Sequence, residues 1–69
     1  MFKVKVGIIG SGNSALTFVK ALNYRKEFDL VAIGSRNHWK AKQISKIYKK
    51  NVLILSIQEV IESKDINLI

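Results

Sequence analysis

Apolar and charged residues alternate from Lys3 to Val6, and the pattern then closes into the uncharged run Gly7-Ile8-Ile9. An alternating start running into an apolar end predicts an inner strand of a parallel sheet over residues 3–9. The period then changes. Ala15, Leu16, Val19 and Leu22 recur at helical spacing, with Phe18 beside the stripe, which predicts an amphipathic helix over residues 13–25. Asp29-Leu30-Val31-Ala32-Ile33-Gly34 reads as a second strand. Ala41, Ile44, Ile47 and Tyr48 return to helical intervals and predict a helix from about His38 to Lys50. Val52 to Leu55 forms a third short strand. Ser56 followed three residues later by Glu59 matches a capping box and opens a helix through Ser63. Ile66-Asn67-Leu68-Ile69 starts a fourth strand.

The expected order is therefore βαβαβαβ, an α/β chain with a parallel sheet and right-handed crossovers. Proline, low-complexity tracts and repeats are absent, so residues 1–69 read as one unit without a linker.

Between the first strand and first helix lies Gly10-Ser11-Gly12-Asn13-Ser14-Ala15. A pyrophosphate needs backbone N–H groups aimed at it, a helix N-terminus facing it, and no side chain in its path. Gly10 supplies the tight turn, Gly12 the close approach, and Ala15 the small residue where helix packs on strand. This is the G-x-G-x-x-G/A arrangement of the doubly wound (Rossmann) fold, for which the expected strand order is 3-2-1-4. The strand and helix that flank it make it more specific than the bare string. Gly7, inside the strand, is expected only to admit a closely packed helix.

The end of the second strand is the next informative place. A carboxylate there would accept hydrogen bonds from the adenosine ribose and favour NAD. Ser35 and Arg36 stand there instead. A hydroxyl with a guanidinium suits a 2′-phosphate, which Arg grips with paired hydrogen bonds, and Asn37, His38 and Lys40 add donors or charge. The expected cofactor is NADP, with NAD as the alternative and Arg36 stacked on adenine or facing water as the competing role. His38 is expected to be an exposed helix-start residue and Trp39 to pack across the sheet edge.

Composition narrows the remaining chemistry. The chain has no Cys and one His, so a disulfide framework and a multi-histidine metal site are excluded. No apolar run approaches the roughly 18 residues of a membrane span, and no leader pattern opens the chain, so a cytoplasmic location without membrane attachment is the default. The net charge of +7 raises nucleic acid as a partner. No acidic residue lies between Asp29 and Glu59, a gap that holds Arg36, Lys40, Lys42, Lys46, Lys49 and Lys50. A solvated Lys-rich helix face is the favoured account of this cluster, because the same helix also buries an apolar side.

With these motifs in place, "KVGIIGSGNSA", "LVAIGSRN" with "KAKQISKIY", and "SIQEVIESKDINLI" together resemble the N-terminal part of the Gfo/Idh/MocA oxidoreductases. The likeness runs from about Lys3 to Ile69. It implies a nicotinamide-dependent enzyme acting on sugars, polyols or related carbonyl compounds. The family's pyrophosphate turn maps onto Gly10, Gly12, Asn13, Ser14 and Ala15, and its cofactor-selecting residues onto Ser35 and Arg36. Asn51 replaces a glycine common before the third strand, and Asn tolerates the left-handed conformation such a glycine takes.

Family members continue into a Thr-Pro loop, a Glu-Lys-Pro segment with a catalytic lysine, and a second domain holding the substrate. None of these segments is present, so the chain is expected to be the N-terminal part of a dinucleotide-binding domain. It is expected to contain no catalytic residue and to be inactive alone. An apolar fourth strand at the sheet edge favours a homo-oligomer. A non-catalytic nucleotide-binding or sensing module remains the alternative, since fold does not fix function.

Overall fold

Strands and helices alternate along the computed structural model, which describes residues 3–66. In chain order they are β1 (Val4–Ile9), α1 (Asn13–Leu22), β2 (Phe28–Gly34), α2 (His38–Ser45), β3 (Leu53–Leu55) and α3 (Ile57–Glu62). β2 lies between β1 and β3, and both pairings are parallel. The expected fourth strand, and with it the fourth place in the strand order, lies outside the described residues.

Register brings the carboxyl ends of all three strands to one edge. Ile9 pairs with Gly34, and Gly34 with Leu55. Gly10 N–H donates to the Gly34 carbonyl at 2.8 Å and Ser35 N–H to that of Leu55 at 3.3 Å. The turn after β1, the turn after β2 and the start of α3 are therefore neighbours. The β1–β2 ladder shifts between Val6 and Gly7, where Leu30 and Ala32 are the successive partners and Val31 is passed over.

α1 and α2 pack against each other on one face of the sheet. Val19, Leu22, Ala41 and Ile44 meet Val6, Ile8, Leu30 and Ile33 there, joined by Tyr48. Ala15 and Leu16 are partly buried against this cluster. α3 contacts β1 and β2 through the buried Val60, which reaches Gly7 and Gly34. A Cβ at Gly7 would lie 2.9 Å from Val60 Cγ1 and 2.8 Å from Ile66 Cδ1, so the expectation that Gly7 admits a helix holds. Gly34 is the tighter of the two, at 2.6 Å from Val60 Cγ2 and 3.0 Å from the Ser56 carbonyl oxygen.

Two expectations, both helix ends, need correction. The second helix stops at Ser45 instead of Lys50, and Asn23 provides the reason. Its Nδ2 donates to the Ile47 carbonyl at 2.9 Å, and its Oδ1 accepts the Lys49 N–H at 2.8 Å, so side-chain bonds replace the helical ones. The first helix stops at Leu22 instead of Arg25, closing in turns at Asn23 and Tyr24. Asn51 does not occupy the left-handed region, because among the described residues only Gly10 has positive φ. The capping box on α3 is as expected. Ser56 Oγ accepts the Glu59 N–H at 3.1 Å and Glu59 Oε1 accepts the Ser56 N–H at 2.9 Å.

Candidate functional site

Gly10 leaves β1 with φ of +115°, a conformation that L side chains rarely adopt. That turn delivers Gly12 to the N-cap of α1. Nothing lies within 4 Å of where a Gly12 Cβ would be, so its exposed surface is open to an approaching group. The first backbone bond of α1 runs from Leu16 N–H to the Gly12 carbonyl at 3.1 Å. The amides of Asn13, Ser14 and Ala15 therefore precede any helical acceptor.

The other two helices close their own starts, α2 with Asn37 and α3 with Ser56. α1 has no side-chain cap and no acidic residue in its first turn. Its partial positive charge meets no anion from this chain among the described residues. An uncapped start behind an open glycine can serve as an anion cradle.

The turn after β2 faces this cradle. Ser35 is 5% exposed, and its Oγ donates to Ser11 Oγ at 2.9 Å while accepting the Asn37 N–H at 3.1 Å. The expected ligand-facing hydroxyl is thus already tied to the glycine turn. Asn37 Oδ1 accepts the Lys40 N–H at 3.1 Å, so this side chain serves as the α2 cap. Arg36 is exposed, and neither its guanidinium nor the Lys40 ammonium makes a hydrogen bond or ion pair among the described residues. Ser11, Gly12 and Asn13 line a hollow of about 210 Å³ with Trp39, Lys40 and Gln43. The structure thus brings Gly10–Ala15, Ser35, Asn37 and Lys40 to one corner.

His38 is exposed as expected. Trp39 is not packed across the sheet edge. It stays 70% exposed on the wall of that hollow, because the buried side of α2 is taken by Ala41 and Ile44. Sequence reasoning also missed Gly34. The signal was available, since a glycine at the end of a strand and beside a helix start marks close backbone approach.

The basic cluster divides in two. Lys40 sits at the glycine turn. Lys46, Lys49 and Lys50 surround a larger open hollow of about 780 Å³ beyond the far end of α2. That hollow contains none of the residues gathered at the carboxyl edge. No group of three or more His, Cys, Asp or Glu side chains is placed to hold a metal among the described residues, and no described helix is long and apolar enough to cross a membrane.

Residues 4–69 match the family model described as "Oxidoreductase family, NAD-binding Rossmann fold", GFO_IDH_MocA. No curated protein and no solved structure matches the chain significantly. The family match spans nearly the whole sequence, and the chain belongs to the Gfo/Idh/MocA oxidoreductase family.

Proposed function

We propose that this chain forms the nucleotide-holding part of an NADP-dependent oxidoreductase whose substrate is a sugar, polyol or related carbonyl compound. One observation carries the reading: α1 begins behind an open glycine, uncapped, with no acid of its own in the first turn. The amides of Asn13, Ser14 and Ala15 hold the pyrophosphate there, and Gly12 lets it approach. When bound, the nicotinamide supplies hydride chemistry, and the chain's own residues position the nucleotide.

The preference for NADP is supported by the end of β2. No carboxylate stands at the tip to accept from a ribose 2′-hydroxyl. Among the described residues neither the Arg36 nor the Lys40 cation has a partner, and Lys40 lines the hollow at the glycine turn, a pairing suited to a 2′-phosphate. The full sheet order in this proposal is 3-2-1-4, with the fourth strand beside β1 and the nicotinamide crossing between them. Membership in an oxidoreductase family favours this reading over a non-catalytic sensor.

The test is the affinity of the full-length protein for NADPH and NADH, with and without Arg36→Ala. Removing the charge-assisted contact weakens NADPH by roughly 1.5–3 kcal/mol and leaves NADH nearly unchanged. Equal binding of the two cofactors by the native protein, or an intact NADPH preference in Arg36→Ala, overturns the assignment.

A further inference from the structure

Ser35 has two hydrogen-bond partners, which make it the middle member of a short chain running from the Asn37 amide to the Ser11 hydroxyl. Its Oγ accepts the Asn37 N–H at 3.1 Å and donates to Ser11 Oγ at 2.9 Å. Ser35 itself is buried, and both bonds are partly buried. With Ser35 as the donor in this contact, Ser11 keeps its own hydrogen for a group outside the chain. It makes no second hydrogen bond among the described residues, and it lines the hollow shared with Gly12, Trp39 and Lys40. The order Asn37 N–H, Ser35 O–H, Ser11 O–H is a run of donors ending at the mouth of that hollow. Each bond in such a run polarises the next.

We propose that Ser11 is a specificity-determining donor for the cofactor's 2′-phosphate, and that Ser35 is a positioning residue acting through it. The inference rests on the NADP reading above. A phosphate ester oxygen only accepts, and it carries charge, so a donor aimed at it forms the stronger, charge-assisted kind of hydrogen bond. A 2′-hydroxyl is neutral and gains less from the same donor. The Lys40 ammonium on the same hollow adds the compensating charge. Ser35, expected from sequence to touch the phosphate, instead sets the direction in which Ser11 donates.

The experiment measures binding of NADPH, NADH and 2′,5′-ADP to the full-length protein by calorimetry. The variants are Ser11→Ala, Ser11→Thr, Ser35→Ala and the Ser11→Ala/Ser35→Ala pair, each checked by thermal unfolding. Ser11→Ala weakens NADPH and 2′,5′-ADP by about tenfold or more and NADH by much less. Ser11→Thr, which keeps the hydroxyl, restores the native NADPH-to-NADH ratio. Ser35→Ala lowers that ratio when Ser11 is present and has no further effect on it in the Ser11→Ala background. Ser11 is only half-buried in a loop, so its two variants carry the test even if Ser35→Ala fails to fold.

The relay is overturned if Ser11→Ala weakens both cofactors equally, or if Ser35→Ala still lowers the ratio without Ser11. If the native protein prefers NADPH and loses that preference with Arg36→Ala but not with Ser11→Ala, the relay alone fails. If the native protein binds NADH as tightly as NADPH, the NADP reading fails and the relay with it.

Discussion

Two glycines two positions apart do different work, and the difference is measurable. Gly10 sits at positive φ, so a Cβ there is strained whatever the surrounding space. Gly12 has an ordinary φ of −84° and open space where its Cβ would go. Gly10→Ala is expected to destabilise the fold by about 1–3 kcal/mol in denaturant unfolding. Gly12→Ala leaves stability nearly unchanged while weakening NADPH by at least about tenfold, roughly 1.4 kcal/mol. Equal stability losses in the two variants, with unchanged affinity in Gly12→Ala, would contradict this division. Both glycines were legible in the sequence, because a strand, a turn and an amphipathic helix surround them. The place of Ser35 at the end of the second strand was legible, but its bond to Ser11 was not. Whether a hydroxyl faces a ligand or a neighbouring serine depends on the distance to Ser11, 24 residues away, which spacing along the chain does not fix.

Among the elements, α3 packs on the sheet where Gly7 and Gly34 leave room for Val60. Gly34→Ala places a Cβ against Val60 Cγ2 and the Ser56 carbonyl, an overpacking expected to cost about 1–3 kcal/mol. Val60→Ala opens space at the same point. The double variant should therefore lose less stability than the sum of the two single ones in chemical unfolding. Simple additivity would show that the two residues do not meet.

The start of α3 also carries a pH dependence. The Ser56 N–H and then the Ser56 hydroxyl hold the Glu59 carboxyl below its ordinary 4.5, with a smaller pull from His38. A carboxylate lowered in the folded state stabilises it fully above its unfolded value, and the effect disappears as pH falls through the folded value. The melting-temperature advantage of the native protein over Glu59→Gln should be constant above about pH 5 and shrink on acidification below 4.5. An advantage that grows toward acid would reverse the sign and refute the assignment. This helix was legible to within a residue, because its cap is written in four consecutive positions. The end of α2 was not. Apolar spacing through Ile47 and Tyr48 continued the helical pattern, while the bonds that end it come from Asn23, on another element.

At the scale of the molecule, parallel pairing collects the functional parts. Three strands ending in register put the glycine turn, the Ser35–Lys40 segment and the start of α3 along one edge. Lys46, Lys49 and Lys50 lie around the opposite end of α2. The βαβ alternation and the parallel sheet followed from hydrophobic periodicity, while the expected fourth strand lies outside the described residues. The division of the basic residues between two ends did not, because charge runs on a short helix carry no information about which turn faces which loop. That division makes the central claim directly testable. Backbone amide resonances of the isotopically labelled full-length protein, followed through an NADPH titration, report where the anion settles. The account predicts saturable shifts at Gly12, Asn13, Ser14 and Ala15, accompanied by Ser11 and Arg36. Unmoved amides at the start of α1, with shifts confined to Lys46–Asn51, would contradict it.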